Sequence, residues 1–213
     1  PLAQPALTTD PAEWLGDAHP LVSQLGTADG LASLHTLAES LALRPITSLA
    51  ALREFLRAYH DRILLPHELP AIQTAFAHAQ RNEVRELIAL DQRLATEPAL
   101  QAFAAASRRI GQEQLQKLRP LRDERMVQRY LAAVESGQAH GWHTLVYGMT
   151  LVLYSLPLRQ GLLGYAHQTT RGFIHAAARA RGWKERDCAA LFEEFCTNLP
   201  VELEAPRLVK AED

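Results

Sequence analysis

Hydrophobic residues recur along most of this chain at intervals of three and four positions, which is the spacing of one face of an α-helix. No stretch alternates with period two for long enough to form a strand. The pattern therefore predicts an all-α protein, a single-domain bundle of about ten helices with at least roughly 60% of the chain in helices. The clearest stripes run through residues 31–41, 49–63, 72–79, 84–94 and 126–134.

Prolines and capping residues mark the ends of the predicted helices. Residues 8–10, Thr-Thr-Asp, followed by Pro11, are typical of an N-cap with proline in the first turn of a short helix. Pro66 and Pro70 stand four positions apart after a long apolar stripe. Because proline disrupts the interior of a helix, this spacing predicts a corner between two helices.

Length and composition are those of an ordinary globular domain. The chain has 213 residues, of which 47% are apolar and 22% charged, and this composition excludes a disordered protein. The last 14 residues include six charged residues and two prolines. We therefore expect one all-helical domain over residues 1–199 and a flexible polar tail over residues 200–213.

Charge and cysteine content exclude several classes of protein. The net charge of -2 provides no attraction to nucleic acid or to an anionic membrane, and no apolar run is long enough to span a bilayer. Cys188 and Cys196 would lie about 12 Å apart on one helix, too far for a disulfide. We expect two buried, reduced thiols in a cytoplasmic protein.

The helix predicted over residues 98–118 carries small side chains on its buried face. A glycine inside a helix costs about 1 kcal/mol relative to alanine, so Gly111 requires a reason, and a close approach by a neighbouring helix would supply one. The candidate neighbour is the segment Leu145–Leu156, which is apolar enough to be buried on all sides. The predicted structural residues are Ala104, Ser107, Gly111 and Gly148.

Common catalytic motifs are absent from the sequence. It contains no phosphate-binding loop, no dinucleotide-binding glycine motif, no nucleophile elbow and no His-Glu-x-x-His zinc motif. No glutamate is followed three residues later by histidine, so the di-iron signature of helical bundles is missing too. We therefore expect no catalytic residue and no cofactor.

Histidine and tyrosine residues offer the remaining chemistry. His140 and His143 could reach one metal ion across a tight turn, but no cysteine or carboxylate nearby in the sequence completes the site, so capping or core histidines are favoured. An enzyme or ligand-binding protein could hold its ligand among His143, Tyr147, Tyr165 and His167. Packing alone also explains their helical spacing, and the acid–base pairs that catalysis needs are missing.

A series of short motifs keeps a fixed order and spacing between Leu49 and Tyr165. This series resembles the UreF family of urease accessory proteins, and the chain is identified from it as a divergent member. The matching residues are Leu52, Phe55-Leu56, Leu69-Pro70, Leu90-Asp91, Ser107-Arg108-Arg109-Ile110-Gly111, Gly141-Trp142-His143-Thr144-Leu145-Val146-Tyr147-Gly148 and Tyr154-Ser155-Leu156-Pro157.

Two stretches depart from the family pattern. The early loop, Leu21–Ala32, keeps only Gly30-Leu31 and the apolar Leu25. Later, Ala176–Arg179 matches, but Arg181–Lys184 replaces the glycine- and glutamine-rich turn of the family. A UreF-like protein that dimerises but has lost its partners is therefore an alternative.

The resemblance implies an all-α homodimer that bridges the accessory protein UreD, also called UreH, and the GTPase UreG during nickel insertion into apo-urease. Such a protein is an adaptor without enzymatic activity. Arg108 and Arg109 project about 100° apart on a helix, so at most one of them can face a partner carboxylate or phosphate. The candidate partner-binding residues are Arg108, Arg109, Tyr165 and Arg179.

Overall fold

The computed structural model describes residues 15–16, 18–27 and 30–200. Of these residues, 73% are helical and none lies in a strand, so the predicted all-α class is confirmed. The short helix predicted after Asp10 and residues 201–213 of the predicted tail lie outside the described residues.

The described part of the chain contains nine α-helices, a number slightly below the predicted one. A π-helical segment, His60–Glu68, continues the second helix into the third, and a 3-10 segment, Pro98–Phe103, leads into the fifth. The α-helices are α1 Leu34–Ser40, α2 Leu49–Tyr59, α3 Leu69–Gln80, α4 Val84–Thr96, α5 Ala104–Leu118, α6 Arg125–Glu135, α7 His143–Leu153, α8 Leu158–Arg181 and α9 Glu185–Cys196.

The corner predicted at Pro66 and Pro70 is wrong. Pro66 lies inside the π-helical segment, and Pro70 occupies the first turn of α3, a position where proline is common. The wider turn of a π-helix shifts the backbone hydrogen bonds by one residue, which lets the chain pass Pro66 without breaking. This segment places Glu68 inside the protein.

Local capping explains several helix ends. The hydroxyls of Ser33 and Ser48 accept hydrogen bonds from the N–H groups of Thr36 and Ala51, at 3.3 and 3.2 Å, and so cap α1 and α2. Gly182 follows α8 with a φ of +67°, a left-handed conformation that glycine adopts without steric cost.

Helix α7 occupies the centre of the bundle. Its first nine residues are all buried, and it packs against α3 and α5. A Cβ atom at Gly148 would lie 2.7 Å from the carbonyl oxygen of Ile72, so α3 and α7 approach each other closely there. The chain becomes more exposed after the last turn of α7, where Tyr154 is 42% exposed.

The described residues of the early loop, 21–27 and 30–32, pack on α5 and α8. Leu21 and Leu25 are buried in the core, and the side-chain amide of Gln114 on α5 donates a hydrogen bond to the carbonyl oxygen of Ser23. At Gly26 an added Cβ atom would lie 2.2 Å from the carbonyl oxygen of Thr169 on α8. Residues 21–26 are therefore part of the packed domain.

None of the described helices is both long enough and apolar enough to cross a bilayer.

Candidate functional site

Asp91 anchors the segment that leads into α7. Its carboxylate is fully buried and accepts hydrogen bonds from the N–H groups of His140 at 2.6 Å and Gly141 at 2.9 Å, and a longer one from Trp142 at 3.4 Å. The hydroxyl of Tyr130 on α6 donates a further bond at 2.6 Å. The carboxylate thus fixes the backbone of residues 140–142, 49 to 51 positions away in sequence.

Gly111 lies where α5 meets this same segment. A Cβ atom at Gly111 would lie 2.0 Å from the carbonyl oxygen of Gly141 and 2.6 Å from the backbone nitrogen of His143. Only a residue without a side chain allows this approach. The neighbour of Gly111 is thus the backbone entering α7, one turn before the segment Leu145–Leu156 that the sequence suggested.

Four buried side chains lie together beside α7 and are referred to below as the buried polar cluster: Ser107, His143, Tyr165 and Glu68. Hydrogen bonds connect the first three. The Ser107 hydroxyl lies 2.7 Å from Nδ1 of His143, and the Tyr165 hydroxyl lies 2.5 Å from Nε2. The carboxyl group of Glu68 lies beside them, with Oε1 3.7 Å from Nε2 of His143. A neutral histidine donates from one ring nitrogen and accepts at the other, so one of the two hydroxyls donates to His143 and the other accepts from it.

Burial changes the acid–base chemistry of this cluster. It raises the pKa of Glu68 to about 7, although hydrogen bonds from Tyr59, at 2.5 Å, and from Tyr165 act in the opposite direction. It lowers the pKa of His143 to about 3. Both shifts follow from the cost of placing a charge in a medium of low polarity. His143 is therefore neutral at pH 7, and Glu68 can take up or release a proton near that pH.

The cavity beside the cluster limits what this chemistry can do. Ser107, His143 and Glu68 form the residue set of a serine hydrolase triad, with Glu68 Oε1 at 3.7 Å from Nε2 of His143. They line a cavity of about 10 Å³ together with Trp142 and Phe103. That volume suffices for about one water molecule. An organic substrate does not fit next to the Ser107 hydroxyl.

The structure brings together three of the four residues considered for a ligand site. Tyr147 packs against Tyr165 with ring centroids 5.1 Å apart, and its hydroxyl donates to the carbonyl oxygen of Gly161 at 2.9 Å. His167 is half-buried and packs instead against Phe192, at 5.8 Å. The polar atoms of His143, Tyr147 and Tyr165 are therefore bonded to the protein itself.

Tyr165 is also misplaced among the predicted partner contacts. Its side chain has no exposed surface, and a residue inside the core cannot touch a partner protein. Its hydroxyl contributes to the buried polar cluster instead.

The candidate metal ligands lie in different environments. Both ring nitrogens of His143 have protein partners, whereas His140 is half-buried in the segment that Asp91 anchors. Across the part of the chain that the structure describes, no three histidine, cysteine, aspartate or glutamate side chains are grouped to hold a metal ion.

The three candidate arginines lie at or near the surface. Arg109 is exposed, and it pairs with Glu113 at 3.3 Å and donates to the carbonyl oxygen of Gly30 at 3.3 Å. Arg179 is exposed near the end of α8. Arg108 is half-buried, and its guanidinium carbon lies 5.2 Å from the ring centroid of Trp142.

Sequence reasoning missed the most important buried carboxylates. Asp91 was noticed only as part of a motif, although its position on the apolar stripe of α4 was a signal that its side chain is buried. Glu68 stands between two prolines in the sequence, and the corner predicted there hid it. Tyr59 belongs to the apolar stripe of residues 49–63, whose spacing gives no sign of a polar role, yet its hydroxyl donates to Glu68.

The described residues thus define an all-α protein in which the polar atoms of His143, Tyr147 and Tyr165 bond within the protein and the candidate arginines lie at or near the surface. A profile of the UreF family matches residues 46–194. The chain therefore belongs to the UreF family, a family of urease accessory proteins. The divergent early loop, Leu21–Ala32, precedes the matched residues. No curated protein and no solved structure matches the chain.

Proposed function

We propose that this chain is a non-enzymatic adaptor in urease maturation, which bridges a UreD/UreH-type accessory protein and a UreG-type GTPase while nickel is inserted into apo-urease. Membership of the UreF family over residues 46–194 carries this proposal. In it, the chain acts in the cytoplasm as a homodimer and needs no cofactor of its own.

The geometry of the buried groups supports an adaptor rather than an enzyme. His143 and Tyr165 are bonded within the protein, and the cavity beside them has room for about one water molecule. Side chains available to partners lie on the surface, among them Arg109 and Arg179, with Arg108 partly exposed. These arginines are the candidate partner contacts, and at most one of the consecutive Arg108 and Arg109 can face a given partner.

Reconstitution of the complex tests the proposal. The UreD/UreH-type protein, the UreG-type GTPase and the urease subunits of one gene cluster would be co-expressed, once with the chain and once without it. We expect the GTPase to co-purify with the UreD/UreH-type protein only when the chain is present. We also expect urease made without it to contain less nickel and to be less active.

Two outcomes would contradict this function. If the GTPase co-purifies equally well without the chain, the chain is not a bridge. If the chain runs as a dimer in size-exclusion chromatography with light scattering but binds neither accessory protein, it has kept the fold and lost the partners.

A further inference from the structure

The guanidinium of Arg108 is a cation near the protein surface, and it lies over the ring of Trp142. Trp142 is 2% exposed and rigidly placed, because Asp91 binds the backbone of the segment that contains it. Arg108 lies over the Trp142 ring at 5.2 Å from its centroid, a cation–π geometry. The ring therefore restricts the conformations that the guanidinium can adopt.

The guanidinium of Arg108 has no acceptor within the described residues. Its Nε atom is buried and makes no hydrogen bond, and Nε1 of Trp142 is buried without an acceptor as well. No described carboxylate pairs with Arg108, and its terminal nitrogens are neither bonded nor fully enclosed. The buried Nε–H therefore forgoes a hydrogen bond, and the terminal N–H groups remain available to an acceptor that arrives from outside the protein.

The neighbouring arginine shows the contrast. Arg109 has its own carboxylate, Glu113 on the same helix, and in addition the carbonyl oxygen of Gly30. At most one of two consecutive helical arginines can face a given partner, and the sequence left open which one. The geometry favours Arg108, because its hydrogen-bonding capacity is unused and its orientation is already fixed.

We propose that the Arg108–Trp142 pair is a carboxylate-binding site, filled by an acidic side chain of a partner protein in the accessory complex. This inference rests on the proposed function and specifies its chemistry. The planar guanidinium matches the two oxygens of a carboxylate. Because the stacking fixes the side chain before binding, little rotamer entropy is lost when the ion pair forms.

A protein side chain fits this site better than a free carboxylate does. One ion pair at a partly exposed position contributes too little to hold a small ion against dissociation. Within an interface, the surrounding contacts exclude water from the pair, and arginine and tryptophan are the residues most often found where binding energy is concentrated.

Binding measurements with matched variants test the inference. The full chain would be titrated with the purified UreG-type GTPase and, separately, with the UreD/UreH-type protein, as wild type, Arg108→Gln, Arg108→Lys and Arg109→Gln. Loss of one partner of a buried charge pair weakens binding by at least about tenfold. We expect that loss for Arg108→Gln with one of the two proteins, and a smaller loss for Arg108→Lys, which keeps the charge. Arg109→Gln should bind nearly as wild type.

Nuclear magnetic resonance separates a direct contact from a structural effect. We expect the Arg108 Nε–H signal of the ¹⁵N-labelled wild type to shift when that same protein is added. Acetate and inorganic phosphate at millimolar concentration should leave it in place. Charge reversal provides a second check, because Arg108→Glu should regain binding when the matching partner carboxylate is replaced by arginine.

The outcomes distinguish the inference from the function on which it rests. Wild-type chain that binds neither accessory protein overturns both. Binding by the wild type that Arg108→Gln leaves unchanged overturns only the carboxylate site, as does an Arg108 signal that partner binding does not move. A shift produced equally by acetate or phosphate would show a site for free anions instead.

Discussion

Glu68 is the residue whose burial has the clearest consequence for stability. Its pKa is about 7 in the folded protein, compared with an ordinary value of 4.5. Between these two pH values the folded state keeps a proton that the unfolded state has lost. The contribution of Glu68 to the free energy of unfolding therefore falls as pH rises through this window, and the penalty is complete above pH 7.

Glu68→Gln should remove this penalty, because an amide has no charge to bury. We compare the free energy of unfolding of the variant with that of the wild type at each pH. We expect this difference to increase in favour of the variant by about 2–3 kcal/mol as the pH rises from 4.5 to 8. Urea denaturation at several pH values measures the difference, and effects common to both proteins cancel. The exposed Glu86→Gln is the control and should show no such trend. A Glu68→Gln difference that stays constant with pH would refute the raised pKa.

The buried histidines act in the opposite direction. Burial lowers the pKa of His60 to about 4 and that of His143 to about 3, while the unfolded chain protonates near 6.5. Below pH 6.5 the unfolded state therefore binds more protons, and the histidine contribution to stability is lost as the pH falls towards these values. Wild-type stability thus reflects opposing slopes between pH 4.5 and pH 6.5.

Gly111 permits a second test at the level of single residues. In Gly111→Ala the added methyl group would meet the backbone at Gly141 and His143, which α5 can avoid only by moving. We expect a loss of roughly 1–3 kcal/mol, measured by thermal unfolding. Gly164→Ala is the matched control, since its Cβ atom would lie 3.8 Å from the Tyr147 hydroxyl. It should be neutral or gain up to about 1 kcal/mol of helix propensity. Equal melting temperatures would mean that the contact at Gly111 is absent.

At the scale of elements, Asp91 joins α4, α6 and the segment entering α7. Asp91→Ala would leave three backbone N–H groups and the Tyr130 hydroxyl without their acceptor. We expect a loss of at least about 3 kcal/mol, because each buried unpaired group costs about 1–3 kcal/mol. Tyr130→Phe removes only one of these bonds and should cost less. Chemical denaturation of both variants compares them, and an Asp91→Ala protein as stable as Tyr130→Phe would show that the backbone bonds contribute nothing.

The same element connects the fold to the proposed partner site. Asp91 fixes the backbone of Trp142, and Trp142 supports the guanidinium of Arg108. The carboxylate on α4 thereby positions a cation on α5 through the segment between α6 and α7. Residues far from any partner can in this way affect partner binding.

At the scale of the whole molecule, an adaptor should lack both GTPase activity and a tight nickel site of its own. We expect the purified protein neither to hydrolyse GTP nor to bind one nickel ion per chain tightly, because the sequence has no phosphate-binding loop and both ring nitrogens of His143 are bonded to the protein. Calorimetric titration with nickel and a phosphate-release assay check this. A tight site that His143→Ala abolishes would contradict it, whereas weak nickel binding would not.

The sequence by itself determined the all-α class. Apolar spacing within a helix and capping by residues such as Ser48 and Gly182 are local properties, because each depends on neighbours within about one or two turns. The motif series also identified the family, which the match over residues 46–194 confirms.

Only the tertiary structure decided which distant residues meet. The bonds from Asp91 to residues 140–142 and from Ser107 to His143 span 36 to 51 positions, and such pairing depends on how helices pack. It decided that Glu68 is buried rather than exposed at a corner, and that Tyr165 belongs to the core. It also distinguished two consecutive arginines, because Arg109 pairs with a carboxylate of its own helix and Arg108 lies over a tryptophan ring. Periodicity shows which side of a helix is apolar, whereas the identity of the neighbour on that side is set by the packing of the whole chain.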